Sequence, residues 1–257
     1  MVQSTALAPN KALLLLEGRA IPELFGFAAA LPTLTALAPR GDGQPVLVLP
    51  GLTTGDRATT ALRRFLKSKG YPTHGWKMGL NLGPRPGVEQ GLIDLVDSLY
   101  DQYSRKISIV GWSLGGIYAR QLGKMLPDKI RQVISLGSPF GGTPRATNAW
   151  RVYETVSGQD AQEGERHMGG AISAPPPMPS TAIYSKTDGI CAWQNCIEAQ
   201  SSIAENIEVK ASHCGLGHHP AAVFAIADRL AQPEGDWQPF DRSGFRSLVY
   251  PEPAYPT

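Results

Sequence analysis

The chain has 257 residues, long enough for one large domain with a sizeable core. Its formal net charge is +2, with no basic stripe of the kind that neutralises phosphates, which argues against a nucleic-acid partner. Charged residues make up 18%, and 28 glycines and 22 prolines imply many turns or a long irregular insertion.

The first ten residues carry no early positive cluster, and Leu13–Leu16 is too short for the apolar core of a signal peptide. No run approaches the roughly 20 apolar residues of a membrane-spanning helix. The expectation is a soluble cytoplasmic protein without a transmembrane segment. Residues 11–40 are rich in Ala and Leu and interrupted by Pro22, Pro32 and Pro39. They read as one or two short helices on the edge of the core. A turn over 40–45 leads into Val46–Leu49, an apolar run with the character of a buried parallel strand. The loop 50–55 follows. Asp56 is placed to cap a helix reaching Lys69, with Leu62, Phe65 and Leu66 on one face and Gly70 as the stop.

A short strand is expected over 73–77, and a glycine- and proline-rich loop over 79–87. Residues 88–103 read as a helix, burying Leu92, Leu95, Val96 and Leu99. Strand 106–110, helix 114–126 and strand 130–136 complete the first half. From Gly141 to Ser180 the pattern dissolves, around Trp150, Tyr153 and Pro175–Pro177. Such a break exceeds an ordinary connection and reads as a functional insertion. Strand signals return at 181–185 and 206–209. Pro220 opens a last helix to Ala231, before a tail rich in proline and aromatics. Alternating strands and helices predict a single α/β domain over 1–257, a mostly parallel sheet with helices on both faces.

Gly111-Trp112-Ser113-Leu114-Gly115 fits Gly-x-Ser-x-Gly. In a glycine-rich chain the pattern alone is weak. Here an apolar strand precedes it and a helix follows, which is the setting that exposes a serine hydroxyl on a tight turn. Glycines at 111, 115 and 116 relieve clashes in such a turn, and the helix behind it aims free N–H groups at the serine. A plain glycine turn capped by serine is the bland alternative.

With these residues the sequence resembles the α/β-hydrolase superfamily, in its bacterial lipase and esterase branch. Val110–Gly116 is similar to the lipase form of the nucleophile elbow, although histidine is more usual where Trp112 stands. The resemblance covers about residues 45 to 230. It is nearest to small bacterial hydrolases in which an Asp-Gly-Ile stretch and a Ser-His-Cys-Gly stretch follow the insertion. It implies Ser113 as nucleophile and the chain order serine, acid, histidine. Asp188, in Ser185–Ile190, is then the acid, with Glu198 and Glu205 as rivals in an apparent helix. His213, in Ser212–Leu216, is the base. His218 competes, His219 reads as a cap, and His74 and His167 come too early. The oxyanion donors are the backbone N–H groups of Leu114 and Leu52, with Thr53 a near competitor.

The resemblance further implies that 141–180 is a cap, in which Trp150, Val152, Tyr153 and Val156 either face an acyl chain or pack the cap down. Asn81 is a candidate for the pocket wall. The expected partner is a small-molecule or lipid-like ester, and the expected chemistry is acyl transfer without cofactor or metal. Acyltransferase, amidase and a non-catalytic binding module of the same fold remain alternatives. Three cysteines argue against a disulfide framework, but neighbouring acid and base loops would allow a Cys196–Cys214 bridge. Free thiols are the alternative.

Overall fold

A computed structural model describes residues 6–143, 145–160 and 170–255. Six strands form one sheet in the order β2-β1-β3-β4-β5-β6. They are β1 (Val46–Leu49), β2 (Thr73–Gly75), β3 (Ile107–Trp112), β4 (Ile130–Leu136), β5 (Ser180–Tyr184) and β6 (Ala204–Glu208). All five pairings are parallel, as the alternating pattern predicts.

Each central strand is apolar on both faces because each face is covered. Val46 and Val48 join Phe65 and the buried side of α7 (Pro220–Leu230), while Leu47 and Leu49 join the opposite cluster. That second cluster contains Leu92, Val96 and Leu99 of α4 (Val88–Tyr103), and Tyr118, Ala119 and Leu122 of α5 (Leu114–Met125). The stripe 92/96/99 is the helical period the sequence shows. After the short α8 (Arg246–Val249) the tail returns to the sheet: Asn206 Nδ2 donates to Ala254 O at 3.0 Å, and Ala254 N to Tyr184 Oη at 2.8 Å.

Three expectations change. Asp56 does not cap α3, which runs Thr60–Ser68; its carboxylate instead accepts from Trp76 N at 2.9 Å and Lys77 N at 3.1 Å. At the start of α3, Asp56 O accepts from the hydroxyls of Thr59 and Thr60, and no side chain caps the helix. Pro22 and Pro32 do not divide the N-terminal segment. It is helical almost throughout, as α1 (Lys11–Leu15), a 3-10 turn (Leu16–Arg19) and α2 (Ala20–Leu37). Pro22 lies in the first turn, whose N–H groups have no intrahelical partner, and Pro32 faces outward. The stretch Lys11–Leu37 is one helix long and apolar enough, by length and composition, to cross a bilayer. Finally, Glu198 and Glu205 are not helical. Glu198 follows the 3-10 turn Trp193–Cys196, and Glu205 lies in β6.

Both glutamates are spent on buried ion pairs, Glu205 with Arg229 at 2.7 Å and Glu198 with Arg120 of α5. Ser180 Oγ also donates to Glu198 at 2.8 Å, and the Arg120 guanidinium lies 3.6 Å over the Phe140 ring. Removing one partner of such a pair strands a buried charge. Arg120→Ala is expected to cost about 3–5 kcal/mol in urea denaturation. Removing both charges, as Arg120→Met with Glu198→Gln, is expected to recover most of that loss.

Candidate active site

Strand β3 ends at the sheet's C-terminal edge, and Ser113 is the turn into α5. Its backbone has φ 53° and ψ −120°, a conformation disfavoured for any residue with a Cβ. The turn survives because its neighbours have no side chains. A Cβ on Gly111 would lie 2.3 Å from Gly115 O, and one on Gly115 would lie 2.5 Å from Leu49 O. Ser113 N donates to Leu136 O at 2.8 Å, which ties the turn to β4.

Beyond β5 the chain turns through Ser185–Gly189, and beyond β6 through Lys210–Gly217. These two loops bring Asp188 and His213 together. His213 Nδ1 donates to Asp188 Oδ2 at 2.6 Å, and both residues are buried. Asp188 Oδ1 accepts from Ile190 N at 2.8 Å and Cys191 N at 2.7 Å, which fixes the carboxylate. Gly137, at the end of β4, passes beneath the pair: a Cβ there would be 3.1 Å from both Asp188 Oδ2 and His213 Nδ1. Burial disfavours charge on His213, but the adjacent Asp188 carboxylate outweighs it and holds the imidazole well above the ordinary histidine range.

Ser113 reaches the same edge through its neighbour. Trp112 Nε1 donates to His213 O at 3.0 Å, a use for the indole at the position where histidine is more usual. No hydrogen bond joins Ser113 Oγ to the imidazole; such bonds are often long before substrate is present. Two of the other histidines are engaged elsewhere: His218 Nε2 lies 2.9 Å from Ala20 O, and His74 Nε2 lies 3.0 Å from Tyr103 Oη. His219 is the N-cap residue of α7, though its side chain makes no capping bond. His167 lies outside the described residues.

The loop after β1 brings Gly51 beside the serine, where a Cβ would fall 3.3 Å from Ser113 Cβ, and Leu52 follows it. Thr53 N donates to Asn81 O at 2.7 Å, so this competitor is occupied. Among the described residues no acceptor faces the N–H groups of Leu52 or Leu114. Asn81 is fully buried and is no pocket wall. It braces the loop, donating from Nδ2 to Pro50 O at 2.9 Å and from its backbone N–H to Thr54 O at 2.8 Å.

Part of the segment 141–180 lies outside the described residues. Of the rest, Thr147 pairs with Cys191 across the acid loop, and Asn148 Nδ2 donates to Gly189 O at 2.8 Å. Helix α6 (Trp150–Ser157) has no buried residue and rests on the loop 83–85, where Arg85 donates to Val156 O at 2.5 Å. All three cysteines are free, so the Cys196–Cys214 bridge is absent. Cys191 instead faces Cys196 and His213; contact with Cys196, together with burial, raises its thiol and keeps it neutral. Ligand atoms of Asp188, Cys191 and His213 lie within 4.8 Å of one another. Asp188 and His213 are already committed to hydrogen bonds.

One component is missed by sequence reasoning. The N-terminal helix carries Glu17, buried against both loops. Its Oε1 accepts from Gly189 N at 2.7 Å and His213 N at 2.9 Å, and its Oε2 from Cys214 N at 2.8 Å. Glu23 accepts from Ser212 N at 2.9 Å and from the Ser212 hydroxyl. Arg19 donates to Glu23 at 3.2 Å and to Thr187 O at 2.8 Å. The signal was available: three charges stand inside an otherwise apolar stretch, where each needs a partner.

The six-stranded parallel sheet with its covering helices matches solved structures. Aspergillus fumigatus lipase B superposes with a TM-score of 0.58 at 16% identity, covering 79% of this chain and 58% of that one. Est1E from Butyrivibrio proteoclasticus gives 0.54 at 14%, covering 74% and 89%. The chain has the α/β-hydrolase fold. A family model described as a PGAP1-like alpha/beta domain matches residues 89–205, a span of this hydrolase fold that holds Ser113 and Asp188 and stops short of His213. Pimeloyl-[acyl-carrier protein] methyl ester esterase of Shewanella woodyi is 24% identical over 133 residues, 51% of each protein. The chain thus spans about half the length of that curated relative.

Glu17→Ala leaves three backbone N–H groups without their carboxylate. It is expected to cost roughly 1–3 kcal/mol in chemical denaturation. The amides of Gly189, His213 and Cys214 should exchange hydrogen faster while those of β3 and β4 do not.

Proposed function

We propose that the protein is a serine hydrolase of carboxylic esters, an esterase or lipase. The observation that carries this reading is the buried 2.6 Å bond between Asp188 and His213, at the edge where Ser113 is held at positive φ. That combination is costly to build and has a chemical use: an oriented base beside an exposed hydroxyl. The lipase and esterase neighbours, and the methyl ester esterase relative, support the same class.

His213 takes the proton of Ser113 as Oγ attacks the ester carbonyl. Asp188 keeps the imidazole in the tautomer with Nδ1 protonated and stabilises the imidazolium. Negative charge on the former carbonyl oxygen meets the free N–H groups of Leu52 and Leu114, the latter at the positive end of α5. His213 returns its proton to the departing alcohol, and water activated by the same imidazole releases the acid. The α6 segment, set over the loop beside Asn81, serves as a small cap.

Ser113→Ala is expected to abolish labelling by a fluorophosphonate probe. It should also lower hydrolysis of p-nitrophenyl esters by about 10⁶-fold. Undiminished labelling of the variant, or a wild type inert toward every acyl length from acetyl to palmitoyl, would overturn the assignment.

The base must be neutral to act, so kcat/KM is expected to rise with pH through the His213 pKa. The midpoint should lie above the ordinary value of about 6.5. In Asp188→Asn the charge that chiefly opposes burial is lost. The midpoint is then expected to move down, with kcat falling by about 10⁴-fold. A pH–rate profile of both proteins checks the sign.

A further inference from the structure

The N-terminal helix is inside out. Between Lys11 and Arg40 the only ionisable residues are Glu17, Arg19 and Glu23, and all three turn inward to the acid and base loops. Outward the helix shows Leu15, Leu16, Ile21, Leu24, Phe25 and Leu37, with Leu15 82% and Phe25 71% exposed. Its outward polar side chains are those of Thr33 and Thr35. The stretch is 27 residues long; its most apolar 18 residues have a mean hydropathy of 1.4, and 11% of them are buried.

We propose that this face seats the protein on a lipid surface, with the helix lying in the plane of the membrane interface. Two features select lipid over a protein partner. In α2 the side chains of Leu24, Ile21, Phe25 and Leu37 spread over about 220° of the helical wheel. A partner helix packs along one ridge-and-groove stripe and would leave part of that arc in water. Acyl chains follow the whole arc. A protein interface also supplies about one hydrogen bond per 100–200 Å², and this face has two hydroxyls to offer. Charge agrees: the uncharged stretch is flanked by exposed Lys11 and Arg40, cations that suit an anionic headgroup layer. The helix lies on the membrane rather than crossing it, because Glu17, Arg19 and Glu23 fasten its middle to loops of the domain. At about 40 Å long, the seated helix brings those loops to the lipid boundary.

Flotation of the full chain with equimolar phosphatidylcholine–phosphatidylglycerol vesicles tests this. The Ser113→Ala protein is used, so binding is read without any activity and fails or holds separately from the esterase reading. The protein is expected to float with the vesicles and to remain bound at high salt, since apolar contact is not screened. Leu15→Gln/Ile21→Gln/Phe25→Gln is expected to bind about 100-fold more weakly or worse. All three positions are exposed, so its melting temperature should match the parent. Leu24→Gln/Leu37→Gln provides a second set should the triple variant fold poorly. Protein left at the bottom of the gradient, binding lost in salt, or undiminished flotation of both variants overturns the proposal. So does a dimer in sedimentation velocity that the glutamine variants dissolve, which would assign the face to a second copy.

Discussion

A close backbone approach at three glycines governs the candidate site. Gly111, Gly115 and Gly116 let the end of β3, the start of α5 and the end of β1 meet with no side chain between them. A methyl group at any of the three would overlap a neighbour. This contact forces Ser113 to positive φ and lifts its hydroxyl off the sheet. It also leaves the N–H of Leu114 at the open end of a helix. A serine, an unpaired donor and a helix dipole thus arrive together from one steric constraint. The loop after β1 can add a second donor only because Gly115 lies against Leu49 and Pro50.

A sheet edge delivers side chains but does not by itself fix the loops that carry them. Both loops bond partly within themselves, and Asp188 is oriented by two N–H groups that follow it. The N–H groups of Ser212, His213 and Cys214, and that of Gly189, turn outward instead. The first helix supplies what is missing. One carboxylate, Glu17, accepts from both loops at once, so the Asp188–His213 distance depends on a residue far away in sequence. A carboxylate is suited to this, since two oxygens can accept three N–H bonds and charge strengthens each. The same segment accepts from Ser212, donates to Thr187 and meets the His218 ring at Ala20 O. The site is therefore clamped from outside the sheet.

What the sequence made legible follows from the range of the forces involved. The six strands and the turn at Ser113 sit where local pattern puts them, because periodicity and glycine spacing are short-range signals; Asp188 and His213, which the resemblance singles out, lie on neighbouring loops within hydrogen-bond distance. Long-range pairing was not legible. Asp56 looked like a helix cap and instead holds the loop after β2. Glu198 and Glu205 looked like rival acids on a helix and are consumed by Arg120 and Arg229. Asn81 looked like a pocket residue and braces the loop after β1. Each is a polar side chain whose partner lies in another element, and one sequence does not name that partner. Pro22 and Pro32 misled for a different reason: one sits in a first turn and the other on an outward face, where a missing N–H costs little.

The N-terminal helix joins these two lessons. An apolar segment with three charges normally turns the charges to water and the leucines to the core. Here the polar demand comes from the protein, because unpaired loop N–H groups need carboxylates and the core is already filled by α7 and the sheet. The helix answers that demand with its one charged stripe. The leucines are then left outside by geometry, not by excess. A surface so made is stable in water only at a cost that rises with every exposed apolar side chain. A lipid boundary removes that cost while leaving the Glu17 clamp untouched. On the proposed esterase reading, that boundary is also where apolar acyl chains are concentrated. The clamp and the apolar face therefore belong to one device, in which the element that meets the lipid is the element that holds the acid and the base in register.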